Sequence, residues 1–143
     1  MLKKFPPIEK VYEAWTAIAD GRVTMSENQA LVSSSDGTKV YTVKFKGDIY
    51  SSDDNATYWQ GYPGYPVIAV LMLQGRLTFD KDIAEQFKDI NWTELNKKYK
   101  NKYSEAVAEI ESERDINPSV ASKAAEKVMT ELAEMSLVIK RKI

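Results

Sequence analysis

The 143-residue chain contains neither cysteine nor histidine. That absence removes disulfides, thiol catalysis, Ser-His-Asp chemistry and every zinc site built on thiolate or imidazole donors. An excess of positive charge is missing too. The formal net charge is −1, so no global field draws the chain to nucleic acid, and any such binding rests on a local patch. No run approaches the roughly 18 apolar residues of a membrane span, and the opening MLKKFPPIEK lacks the apolar stretch of a secretory signal. The expectation is a cytoplasmic protein with no membrane partner. On that reading the N-x-T sequons at Asn55 and Asn91 are chance matches. There is no glycine-rich phosphate loop and no nucleophile–base motif, so acid–base chemistry would have to come from carboxylates, lysines or tyrosines alone. Neither an enzyme nor a cofactor is expected.

What is present fits one folded domain over residues 1–143. Apolar residues at 43% and charged residues at 29% are near globular averages, and this length buries a core without a metal or disulfide staple. After Pro6 and Pro7, the residues Ile8, Val11, Tyr12, Trp15, Ile18 and Ala19 recur at helical spacing and stop at Gly21, a good terminator. RVTMSE, QALVSSS and TKVYTVKF are β-prone runs separated by Glu27-Asn28 and Asp36-Gly37, which predicts three antiparallel strands. Gly47-Asp48 turns into a short fourth strand. The run VIAVLMLQG, from Val67 to Gly75, is apolar almost all round and predicts a buried helix. Further on, Asp80 caps a helix over about 81–88, and Asn91 with Glu94 opens a longer one to about Arg114. Asn117-Pro118 starts the last helix, whose stripe is Val120, Ala124, Val128, Leu132, Met135 and Ile139. The fold class is α+β: an N-terminal helix, a small antiparallel meander, a buried helix, and C-terminal helices packed in the same domain.

Between the fourth strand and the buried helix lies YSSDDNATYWQGYPGYPVIAV, residues 50–70. It has the length and punctuation of a metal-binding knuckle. The order of an amphipathic helix ending in ADGRV, the hairpin ALVSSSDGTKVYTV, an acidic knuckle and YPVIAVLML resembles a SWIM-type zinc finger over residues 8–75, followed by a helical part over 76–143. The resemblance places the C-x-C pair on Tyr50 and Ser52, the following acidic residue on Asp54, and the C-x-H pair on Gly64 and Pro66. None of the four ligand positions holds a zinc ligand, so the scaffold is that of a finger without metal. Something else must then order the loop. Tyr58, Trp59, Tyr62 and Tyr65 are the candidates, either as a buried aromatic mini-core or as an exposed binding platform. Trp59, the largest apolar side chain there, is expected to be largely buried and to substitute for the metal.

Two basic groups complete the candidate interaction residues. Lys39, Lys44 and Lys46 flank the third strand. Lys97, Lys98 and Lys100 interleave with Tyr99 and Tyr103, a mixture suited to single strands, although i, i+4 pairing such as Glu94 with Lys98 accounts for it equally as a solvated face. SWIM domains are associated with DNA binding and protein contacts. The resemblance therefore implies a non-enzymatic binding module with a weak nucleic-acid or protein partner. The alternative is a structural protein that forms a homo-oligomer through its C-terminal helices.

Overall fold

Residues 2–143 are described by a computed structural model. After the two prolines, which disfavour helix, α1 runs Glu9–Ala19. The chain is buried continuously from Lys10 to Ala17, both sides of the helix included. Gly21, at φ +69°, closes it, and Gly21 and Arg22 donate back to the Ile18 and Ala17 carbonyls.

Strands β1 (Val23–Met25), β2 (Gln29–Ser33), β3 (Val40–Lys46) and β4 (Ile49–Ser52) form the expected antiparallel meander. The β2–β3 turn is built on Asp36, whose Oδ1 accepts from Thr38 N at 3.1 Å, Thr38 Oγ1 at 2.7 Å and Ser34 Oγ at 2.8 Å. In β3, Val43 is buried and Tyr41 and Phe45 are half-buried, while Val40, Lys44 and Lys46 are exposed. One face therefore meets the core and the other meets solvent.

Helix α2, Tyr65–Leu73, is buried from Pro66 to Met72. An all-apolar helix suits this place, because it packs on β1, β3 and β4 and on α1. The remaining helices are α3 (Lys81–Gln86), α4 (Trp92–Lys98), α5 (Tyr103–Arg114) and α6 (Pro118–Glu134). The three expected caps form: Asp80 accepts from Ile83 N, Asn91 from Glu94 N and Asn117 from Ser119 N. α1 packs against α3, α5 and α6 as well as α2, so the sequence-proximal and sequence-distal parts share one continuous core from Leu2 to Leu137. No helix among the described residues is long and apolar enough to cross a membrane.

Two expectations about helices are corrected. The single helix from Asn91 to Arg114 is two, broken where Lys100 and Asn101 take φ of +52° and +64°. Asparagine tolerates that conformation, the crowded lysines around it repel one another, and the turn lets Ala106, Val107 and Ile110 bury themselves. The last helix stops at Glu134 rather than reaching Ile139. Had it continued, Leu137 would have lain off the apolar stripe. Instead the chain extends, Leu137 is fully buried, and β5, Val138–Ile139, pairs parallel to β4. The sheet is thus five-stranded and mixed, in the order β1-β2-β3-β4-β5.

Candidate functional site

The knuckle between β4 and α2 is organised by a buried carboxylate. Asp54 Oδ1 accepts from the Ser52 hydroxyl and from Thr57 Oγ1 at 2.8 Å, and Oδ2 accepts from Thr57 N at 3.1 Å. Thr57 Oγ1 in turn accepts from Gly64 N at 2.9 Å, which ties the start of the knuckle to the start of α2. Residues between them form a single π-helical turn, Ala56–Gln60, ended by Gly61 at φ +78°. Neighbouring Asp53 accepts from Thr42 N at 2.8 Å and continues the sheet edge.

The positions that the resemblance gives to zinc ligands do not fit a metal. Tyr50 is buried and its hydroxyl donates to Gln74 Oε1 at 2.5 Å while accepting from Arg76 Nη1 at 2.9 Å. Ser52 is engaged by Asp54. Gly64 has no side chain, and a Cβ there would overlap Asp54 Oδ2 and lie 3.1 Å from Thr57 Oγ1. Pro66 sits in the first turn of α2, where its missing N–H costs nothing. The four positions supply no tetrahedral donor set, and a hydrogen-bonded knot occupies the middle of the knuckle.

The loop aromatics divide between the two expected roles. Tyr62 is buried, with Lys4 Nζ 5.6 Å from its ring centre, and Tyr65 packs edge-on to Tyr41 with ring centres 6.4 Å apart. Trp59 contradicts the expectation of burial: it is 64% exposed. The reason is that Asp54, not an apolar anchor, orders the loop, which frees the π-turn to present Trp59 outward. Tyr58 stands edge-on to it at 4.7 Å. The Arg141 guanidinium lies 5.3 Å from the Tyr58 ring centre and 5.4 Å from that of Trp59, and Arg141 Nε donates to the Tyr58 carbonyl at 3.2 Å. Beside this stack, Arg141 and Lys142 share a shallow depression with Lys44, and a second one joins Lys44 to Lys46.

Lys39 does not belong to that strip. It lies at the hairpin end of β3, five residues or roughly 16 Å from Lys44 along the strand. The lysines of α4 are separate too: Lys98 is held by Glu109, which also accepts from the Tyr99 hydroxyl at 2.7 Å, and Lys97 and Lys100 project from the same solvated segment. Arg141 was not legible as part of the surface, because a helix running past it makes its charge a simple complement to the helix dipole.

A model of the family described as "Uncharacterised conserved protein UCP014422" matches residues 3–138, nearly the whole chain. The protein belongs to this family. No curated protein and no solved structure matches it. The match of this UCP014422 member covers the knuckle and both halves of the core and ends at Val138, within β5 and short of Arg141.

A second feature of this family member lies where α1 faces α4 and the knuckle. A pocket of about 150 Å³ is lined by Lys10 and Glu13 of α1, by Arg22, by Tyr41 and Tyr65, and by Trp92 and Asn96 of α4. Asp54 and Asn55 close it from the knuckle side, and Ser35 and Thr93 form another edge, with Thr93 N donating to Ser35 Oγ at 3.1 Å. Lys10 Nζ lies 3.3 Å from Glu13 Oε2, both nearly buried. Burial pushes the Glu13 carboxyl up, only partly offset by Lys10; burial opposes the Lys10 ammonium, but Glu13 beside it prevails and holds it above its ordinary value. Burial also pushes the Tyr65 phenol up, against the pull of Arg22. No motif announced this pocket. Its residues come from seven separate segments, and Lys10 and Glu13 look in sequence like the polar face of an amphipathic helix.

Proposed function

We propose that the chain is a non-enzymatic binding module that holds single-stranded nucleic acid on its outer sheet face. The observation that carries this reading is the exposed Trp59 with half-buried Tyr58 edge-on to it, both within reach of the Arg141 guanidinium and next to Lys44, Lys46 and Lys142. Bases stack on exposed aromatic rings irrespective of sequence, and the flanking cations follow the phosphates. The resemblance of the order of elements to a SWIM-type finger, with its ligand positions filled by other means, is in keeping with the same class. The assembly reading has less support, because Ala121, Ala125, Val128 and Leu132 of α6 are buried within the chain's own core.

The test is titration of a fluorescent oligothymidylate at low and moderate salt. Three or so phosphate contacts give a slope of about −2 in log K against log salt for a single strand. Trp59→Ala weakens binding by about 1–3 kcal/mol, and Arg141→Ala lowers both affinity and slope. Binding that survives both substitutions sinks the proposal.

A further inference from the structure

We propose that the pocket between α1, α4 and the knuckle is a binding site for a small aromatic carboxylate. Size sets the first limit. A partly open pocket of about 150 Å³ suits a single ring with a substituent. The walls set the second, since Tyr41, Tyr65 and Trp92 line it with flat apolar surface, while charged groups stand between them.

The sign of the ligand follows from which groups are already satisfied. Asp54 has both oxygens engaged by Ser52 and Thr57. Glu13 is paired with Lys10. The donors are less fully used. Lys10 has three N–H groups and donates one hydrogen bond, to Glu13, while its charge rests over the Tyr103 ring at 4.4 Å. Arg22 directs Nε to Asp20 and Nη1 to the Ser33 carbonyl, and its Nη2 is fully buried, so Arg22 is wall rather than contact. Lys10 keeps two N–H groups for a ligand, and the strongest partner for an ammonium is an anionic acceptor such as a carboxylate. Lys10 is the contact. An ion pair this deeply buried adds little to stability compared with apolar residues of the same shape; a role in holding a ligand gives it a reason to be there.

Benzoate is the smallest member of the class and is the probe, with benzamide as its neutral isostere and benzylamine as its cation. Thermal melting and amide-shift titration of the full chain are the readouts. Benzoate raises the melting temperature in a dose-dependent manner; benzamide binds about tenfold more weakly or worse, and benzylamine does not bind. Lys10→Met leaves Glu13 unpaired in the interior and risks unfolding, so the double variant Lys10→Met/Glu13→Gln carries the test. It removes both charges, keeps the fold, and loses about tenfold or more of the benzoate affinity. Trp59→Ala, outside the pocket, retains it, which separates this site from the outer surface. Absence of any benzoate response at tens of millimolar, equal binding of benzamide, or unchanged binding by the double variant overturns the proposal.

Discussion

At the scale of single residues, Asp54 and Trp59 exchange the roles that size and hydrophobicity suggest. Trp59 is the bulkiest group in its loop, yet the small carboxylate anchors the turn. Asp54→Ala leaves two hydroxyls and a backbone N–H without their acceptor in a buried place, and hydrogen bonds to a charged group are worth about 1.5–3 kcal/mol each. The expected loss is about 3 kcal/mol or more, read as a lower denaturant midpoint with an unchanged slope. Trp59→Ala, by contrast, costs about 1 kcal/mol or less, because an exposed side chain forfeits little beyond its stacking on Arg141. Fluorescence gives an independent check. Trp15 and Trp92 are 1% and 3% exposed against 64% for Trp59, so acrylamide should quench only one emitting class, and Trp59→Phe should abolish it. A third residue, Asp36, reports on the hairpin. Hydrogen bonds from Thr38, through its hydroxyl and its backbone N–H, and from Ser34 hold its carboxyl down at about 2. Its folded value lies below the unfolded one, so its contribution is present above about pH 4 and fades as pH falls toward 2. Side-chain carboxyl NMR should show that low midpoint in the parent, and Asp36→Asn should flatten this part of the acid-unfolding curve.

At the scale of elements, what was legible in the sequence is what local chemistry dictates. Asp36-Gly37 and Gly47-Asp48 are turn pairs wherever they occur, and Asp80, Asn91 and Asn117 cap helices by contacts within three residues. The all-apolar run from Val67 announced a helix enclosed on every side, and α2 is one. Elements that depend on distant partners were not legible. Ile139 continues a helical stripe by spacing alone, and only the free edge of β4 makes it and Val138 a strand. Likewise Asn101 and the lysines around it permit a break without requiring one; the need to bring α5 back onto α1 does. The candidate surface divides the same way. Tyr58, Trp59, Lys44 and Lys46 were identifiable from composition, whereas Arg141 reaches them only because the chain leaves α6 early. The pocket beside α1 was invisible, since Arg22, Tyr65 and Trp92 converge through the tertiary fold.

At the scale of the whole molecule, the last eight residues join two tasks that a helical C-terminus would have kept apart. Leu137 fills the core at full burial, Val138 N donates to the Asp48 carbonyl and Lys140 N to the Tyr50 carbonyl at 2.9 Å each, and Arg141 then clamps the aromatic pair. A chain ending at Met135 therefore loses core packing, the cover on β4 and Arg141 and Lys142 of the proposed binding surface together. Exposed strand edges template pairing between copies, so the truncated chain should self-associate at concentrations where the parent keeps its state. Leu137→Ala separates the effects: it creates a cavity costing about 2–5 kcal/mol but leaves β5 paired and Arg141 in place. Light scattering after size exclusion, run beside oligothymidylate titration, reads the two consequences. The truncated chain should gain mass and lose binding, while Leu137→Ala should melt earlier, keep its mass and bind as the parent does at a temperature where it is folded. If truncation changes neither mass nor affinity, β5 is dispensable cover and the binding surface lies elsewhere.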